Sequence, residues 1–493
     1  MTSRESGQQV RKLSLSAKEQ RIVHHFGKST MFKSLSIISL SALLSLFSIG
    51  CHQSTGPATP APSDPSLSGG TETVSDQSSL AFSHVFPNIS AENAAIHELG
   101  DSNFGSAYVP AADVLHGGLG PIHNATSCEG CHVGDGRGRQ PLPGDTVTSL
   151  LIRVSIAGTD PNGGPNPAPG FGGQLQENAI PGVRQEADVN ITHTYKTFSF
   201  ADGSTYELEM PAYTLVNPYT PLPTGMMMSA RVAPPNFGLG LLESVPDDEI
   251  LANADPNDAN GDGIKGVPNW VWDIQQQTLR IGRFGWKAGQ PSLLQQAAAA
   301  FNQDMGITNF LFPNESCTGQ SQWNGIPDPG YSREVSDIDL KSVETYLRTL
   351  AVPAARNVND PIVSHGRQLF QTAQCASCHI PSLTTGNISG FPELSNQKIF
   401  PYTDLLLHDM GADLADNRPE FAASGQQWRT PPLWGIGLTQ TVNGHTRFLH
   451  DGRARSLLEA VLWHGGEAAH ARDYVKSLTA ADRAALLKFL ESL

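Results

Sequence analysis

A mainly α-helical chain of two duplicated domains, the first enlarged by β-rich insertions, is predicted by three observations. A five-residue string occurs twice, as Cys128-Glu129-Gly130-Cys131-His132 and as Cys375-Ala376-Ser377-Cys378-His379. Similar blocks then follow each copy in the same order. Arg231-Val232-Ala233-Pro234-Pro235-Asn236-Phe237-Gly238-Leu239-Gly240-Leu241 answers Arg429-Thr430-Pro431-Pro432-Leu433-Trp434-Gly435-Ile436-Gly437-Leu438. Trp286-Lys287-Ala288, leading into Ser292-Leu293-Leu294-Gln295-Gln296-Ala297, answers Gly452-Arg453-Ala454, leading into Ser456-Leu457-Leu458-Glu459-Ala460. Third, apolar and polar residues alternate over residues 189–216, while the second half is dominated by helical spacing.

Each string reads as a covalent haem c attachment site, so the expected cofactors are two covalently bound haem c groups in two cytochrome c-like domains. Two thiols three positions apart form thioethers to both vinyl groups, and the adjacent histidine turns its imidazole onto the iron. A redox disulfide or half a zinc site needs only Cys-x-x-Cys, and the trailing histidine in both copies speaks against either.

The chain has 493 residues, 39% of them hydrophobic, which is ample for two or three packed domains. With 32 basic against 47 acidic residues its formal charge is −15. That balance disfavours nucleic acid or an anionic membrane surface as partner and permits a basic electron carrier. Four of six cysteines go to the attachment strings, leaving Cys51 and Cys317, so no disulfide framework organises the chain.

Taken in order, residues 1–51 read as an N-terminal extension and a lipoprotein-type export signal. Lys33 precedes the apolar run through Ile37, Ile38, Leu43, Leu44, Leu46 and Phe47, and Ser48-Ile49-Gly50-Cys51 suits cleavage and lipidation of Cys51. Residues 52–84, rich in Ser, Thr, Pro and Gly at their start, read as a flexible linker. The expected location is periplasmic, with a lipid anchor as the one membrane contact. Residues 85–335 form the first haem domain and 336–493 the second.

Within the first, Val189, Ile191, Phe198, Phe200, Tyr206 and Leu208 predict two or three strands, with Asp202-Gly203 as a turn. Asp258-Ala259-Asn260-Gly261-Asp262-Gly263 resembles the front of a calcium loop, but Asn269 stands where such a loop wants glutamate. A plain turn is the preferred reading and calcium the alternative. Ser336 or Asp337 caps a helix through Leu340, Val343 and Leu347. In the second domain, Gly366-Arg367-Gln368-Leu369-Phe370 ends a helix entering the attachment loop, and Thr479 with Asp482 opens a closing helix.

The sixth iron ligand decides between electron storage and chemistry on a substrate. For the second haem, Leu457, Ala460, Val461 and His464 share one helix face, which favours His464; Met410 and His408 compete. The first haem has no such candidate and is left five-coordinate or weakly ligated. Met226, Met227 and Met228 read as core packing, His116 and His123 as structural or surface residues, and His193 lies in the predicted strands.

The layout resembles the bacterial di-haem cytochrome c peroxidase superfamily, specifically its di-haem oxidoreductase branch, also labelled thiol oxidoreductase-like. The strings carrying this are Gly238-Leu239-Gly240-Leu241-Leu242-Glu243, Gly282-Arg283-Phe284-Gly285-Trp286-Lys287-Ala288, Ala300-Phe301-Asn302-Gln303-Asp304-Met305-Gly306, Leu407-His408-Asp409-Met410-Gly411, Phe448-Leu449-His450-Asp451-Gly452-Arg453 and Trp463-His464-Gly465-Gly466-Glu467. The resemblance implies that the N-terminal haem is the peroxidatic-type site and the C-terminal haem the electron-donating one. It places the electron-haem ligand at His464, the acid/base carboxylate at Asp304 and the inter-haem tryptophan at Trp286. The distal histidine that blocks the peroxidatic haem in resting peroxidases has no counterpart here.

The expected catalytic residues are therefore Asp304, Trp286 and Arg231, the last as a positive charge near the pocket or a haem propionate. The expected partners are a small redox carrier, a cytochrome or cupredoxin, and a small-molecule oxidant. Competing readings are a non-enzymatic electron-transfer cytochrome and a thiol or metal oxidoreductase, to which Cys317 bears.

Overall fold

The structure is a computed structural model describing residues 64–110, 114–141, 149–322 and 333–493. The export signal and lipidation at Cys51 lie outside the described residues. Among the described residues no helix is long and apolar enough to cross a membrane.

Ten α-helices are described: α1 (Ala91–Gly105), α2 (Leu239–Glu243), α3 (Asp247–Leu251), α4 (Leu293–Met305), α5 (Asp337–Arg348), α6 (Pro361–Thr372), α7 (Thr439–Asn443), α8 (Leu457–Leu462), α9 (Ala469–Ser477) and α10 (Ala480–Ser492). The longer ones start where a short polar side chain takes up an orphan amide. Ser90, Ser292, Ser336, Asp360, Ser456 and Thr479 each accept from the backbone N–H two or three residues on. Each such cap contributes about 0.5–2 kcal/mol.

Two helix crossings frame the two attachment strings. α1 crosses α5, and α6 crosses α10, each at a glycine. A Cβ added at Gly100 would stand 2.1 Å from the Ser342 carbonyl oxygen, and one at Gly366 2.0 Å from that of Ala485. Backbone contact that close admits no side chain. Aromatic pairs beside the crossings match as well, with Phe104 and Tyr346 at 5.2 Å and Phe370 and Phe489 at 5.3 Å between ring centroids. α5, which follows the boundary expected at 335/336, thus packs on the helix that precedes the first string.

The repeated Pro-Pro blocks meet face to face. Gly238 and Gly435 adopt left-handed backbone at φ 71° and 70°, and the space beside each is filled by the ring of the other block, Trp434 against Gly238 and Phe237 against Gly435. A side chain at either glycine would be strained by its φ and would strike that ring.

The expectation of a mainly α chain is corrected: 28% of the chain is helical and 20% strand, and the strands fall into seven small sheets among the described residues. The segments joining the helices are rich in turn formers, with 48 Gly and 35 Pro in the chain, and satisfy their backbone groups by pairing. Leu150–Thr159 pairs with Pro165–Asn166 and Met227–Val232. Asp188–Ser199 and Thr205–Val216 form a twelve-pair antiparallel ribbon closed at Asp202-Gly203, where Gly203 has φ 83°.

The segment read as a linker is held by the fold from residue 68 onward. Thr73–Val74 pairs in parallel with Val352–Pro353, and Glu72, Ala81 and Phe82 are buried. Its apolar residues had somewhere to go, which the composition did not reveal.

Candidate functional site

Two cavities open beside the two strings, and the residues common to their linings form the wall between them. In the first, Cys128, Cys131 and His132 line one side. His132 Nδ1 lies 2.8 Å from the Pro234 carbonyl oxygen, so Nδ1 donates and Nε2 is left to face the cavity. Burial lowers this imidazole to about 4, which keeps it neutral and fit to ligate. Phe104 stands 6.2 Å from it at 53°.

The second string is held alike. His379 Nδ1 donates to the Tyr402 carbonyl at 2.9 Å, Phe370 stands 6.3 Å away at 56°, and burial lowers the imidazole to about 4. All four string thiols are free of disulfides, and burial raises each of them, Cys131 and Cys375 to about 12. Thiols raised in this way are poor thiolates, which does not suit a redox disulfide at either string.

Both cavities also need anionic occupants. Arg137 lines both, is half-buried, and makes no ion pair among the described residues; its Nη2 donates to the Leu449 carbonyl at 2.8 Å and its Nε has no partner. Burial alone lowers this guanidinium to about 10. Arg429, which also lines both, donates only to the carbonyls of Gly285 and Thr430. Two desolvated cations between the cavities fit the propionates that haem would bring there.

Asp304, in the last turn of α4, lines the first cavity. Burial raises its carboxyl, opposed by the nearby Arg153 charge and by Gln174, whose Nε2 donates to Oδ1 at 2.7 Å. Its carbonyl accepts from the amides of Asn124 and Ala125, tying the end of α4 to the strand entering the first string.

Trp286 is buried, lines both cavities, and donates from Nε1 to the Val232 carbonyl at 2.8 Å. Arg137 lies 5.6 Å from its ring centroid. Arg231 lines the first cavity, but its charge is taken up within the protein. It pairs with Glu420 at 2.8 Å, which Arg418 also contacts at 2.8 Å. Despite burial, these guanidinium groups hold the Glu420 carboxyl well below the usual range.

In the second cavity, His464 follows α8 and donates from Nδ1 to the Ala460 carbonyl at 2.8 Å, leaving Nε2 for the cavity it lines with His379. Met410 lines it too. His408 is clamped at both ring nitrogens, by Asp404 and by Glu467, each at 2.8 Å, and these carboxylates raise it well above its ordinary value despite burial. An imidazolium so held has no lone pair for iron.

The remaining candidates fall elsewhere. Met226 and Met228 pack in the core around Leu150–Thr159, His123 donates to the Gly120 carbonyl, His116 contacts Asn103, and His193 contacts Gln140 on the ribbon. Cys317 is fully buried and its thiol is pushed up to about 12, which suits neither nucleophilic nor redox chemistry. In the loop once compared with a calcium site, Asp255, Asp258, Asn260 and Asp262 accept backbone amides of the loop itself. Asn269 is instead a buried clamp on the Lys287 and Glu420 carbonyls. Among the described residues no group of three His, Cys, Asp or Glu is arranged to hold a metal ion.

Sequence reasoning missed Arg153, Gln174 and the stack of Trp428 on His450, 3.7 Å apart at 13°. Arg137 stands in the glycine-rich segment Gly134-Asp135-Gly136-Arg137-Gly138. None of these carries a local pattern, because each acquires its place from a neighbour outside its own turn or strand.

A family model described as di-haem oxidoreductase, with peroxidase as its suggested activity, matches residues 63–493. No curated protein matches the chain. Among solved structures, a hydrazine synthase from Kuenenia stuttgartiensis pressurised with xenon is similar at 12% identity, covering 92% of this chain and 100% of that one, with a TM-score of 0.33. A likeness that faint carries no argument about fold or activity.

Proposed function

The chain belongs to the di-haem oxidoreductase family, and from that premise we propose that it is an exported, lipid-anchored periplasmic enzyme that reduces a small oxidant, hydrogen peroxide by preference, at the cavity of His132. Electrons come from a small redox carrier, a cytochrome or cupredoxin, through the cavity of His379 and His464. The observation that carries this reading is the contrast between the cavities. Behind the second stands a freed histidine opposite the string, whereas among the described residues His132 is the sole histidine lining the first, which holds the buried carboxyl of Asp304 instead.

Covalently attached through Cys128 and Cys131 and through Cys375 and Cys378, the haems would supply the redox equivalents that cleave the O–O bond. The protein's part is proton handling and containment. Peroxide plus two electrons and two protons gives two waters, so a group must move a proton between the two oxygens and the pocket. In this reading Asp304 carries that proton: burial raises its carboxyl above that of an exposed aspartate, so it holds a proton more readily. Gln174 fixes one carboxyl oxygen, and the charge of Arg153 lies near the carboxyl. Trp286, in the shared wall, is the aromatic group between the two cavities.

The test is anaerobic titration of the fully reduced protein with hydrogen peroxide, followed optically. One peroxide should oxidise both haems, because it takes two electrons. Oxidation no faster than that of free haem c would sink the reading in favour of a non-enzymatic electron-transfer cytochrome.

A further inference from the structure

We propose that Ala300 marks the vacated ligand position of the first cavity, the counterpart of His464 in the second, and that this methyl group is what leaves room for a ligand of two or three heavy atoms beside Asp304. The inference rests on the reading of the His132 cavity as the open site.

The correspondence is set by the helix caps. Ser292 and Ser456 open α4 and α8 from nearly the same backbone conformation, φ −143° and ψ 158° against φ −155° and ψ 166°. Ser292 Oγ accepts from Gln295 N at 3.2 Å and Ser456 Oγ from Glu459 N at 3.1 Å. The Ser292 and Ser456 carbonyls then accept from Gln296 and Ala460, each at 3.0 Å. Counting from the caps, Gln296 matches Ala460, Ala297 matches Val461, and Ala300 matches His464.

All three pairs line their respective cavities. The register therefore survives in space as well as in sequence. At the matched eighth position, the residue just past the end of α8 presents an imidazole, and α4 presents a methyl group.

The helices differ again just beyond that point. α8 stops at Leu462, and Gly465-Gly466 turns the chain away, whereas α4 continues to Met305 before Gly306 ends it with φ 70°. The extra length carries Asp304, one turn past Ala300 and on the same face. The helix that ends on a ligand in one half thus runs on to a carboxyl in the other, with the space of the missing imidazole left between that carboxyl and the string. A peroxide, azide or cyanide has the two or three heavy atoms that such a space would take.

The experiment is a cyanide titration of the fully ferric holoprotein, read by electron paramagnetic resonance and optical spectra, with haem content measured throughout. Wild type should bind one cyanide per chain, Ala300→His none, with both haems low-spin, and His464→Ala two. If Ala300→His fails to incorporate haem, Ala300→Leu replaces it, and its cyanide affinity should fall by at least about tenfold while the high-spin signal persists. A wild type that binds no cyanide would remove the open-site reading itself. A wild type that binds one, with Ala300→His or Ala300→Leu binding it unchanged, would overturn the role of Ala300 alone, as would a His464→Ala protein that still binds only one.

Discussion

Between the two attachment strings the scaffold hardly changes, and the surroundings change almost completely. Each string histidine is held by a backbone carbonyl through Nδ1 and faced by a phenylalanine at matching distance and tilt, and each sits by a helix crossing closed on a glycine. Beyond that frame, the first half acquires a sheet around Leu150–Thr159 and a cavity walled by Arg153, Arg231 and Asp304, whereas the second keeps a histidine-rich cavity with His464, His450 and His408. A duplicated frame can thus carry two functions, since the chemistry belongs to the few side chains on the cavity walls.

The bluntest way to break the comparison is to remove one string. Replacing Cys128 and Cys131 by serine should halve the covalent haem, from two per chain to one, as read by pyridine haemochrome and intact mass, with the second site keeping its spectrum. Two haems in that variant would end the reading of equivalent attachment sites.

Next in size is Asp304→Asn. Removing a positioned proton carrier should lower peroxide turnover by about 10²-fold or more while haem content and cyanide binding stay as in wild type. Turnover unchanged within error would take Asp304 out of the reaction.

The frame itself is probed by Gly100→Ala and Gly366→Ala. Each added Cβ strikes a carbonyl oxygen of the crossing helix, so each variant should lose on the order of 3 kcal/mol in chemical denaturation. A large loss for one and none for the other would show that the two crossings are not equivalent.

The shallowest effect, spread over several pH units, sharpens the difference between the halves. Glu186, beside the sheet of the first half, accepts from Gln176 N and Gln320 Nε2, yet burial raises its carboxyl from 4.5 to about 8. The folded protein therefore holds a proton that the unfolded chain releases, and stability falls as pH rises from about 4.5 to about 8, by at most about 1.4 kcal/mol per pH unit from this group. Glu186→Gln should flatten that slope in denaturation curves measured across the window; an unaltered slope would show that Glu186 is already ionised when folded.

Much of the candidate site was legible because covalent attachment and capping are local chemistry. Cys-x-x-Cys-His needs no fold to be recognised, and neither do Ser292, Ser336, Ser456 or Thr479 ahead of a helix, since each acts on groups within a turn of itself. The inward face of His464 followed from helical period, and the duplication from blocks repeated in order. The helical dominance expected was wrong in part for a reason of range: beyond the ribbon, strands such as Leu150–Thr159 with Met227–Val232 and Thr73–Val74 with Val352–Pro353 are set by distant partners, which no local propensity reports.

The sequence by itself determined two attachment-type strings, their order and the residues expected to grip each cofactor, because those depend on spacing along the backbone. Only the tertiary structure decided that Arg137 and Arg429 stand unneutralised between the cavities, that Arg231 answers to Glu420, that His408 is locked between two carboxylates, and that Ala300 stands where His464 does. Those facts concern what a side chain meets across space, and burial makes each meeting matter, since a charge or an empty position costs little in water and a great deal in a closed interior.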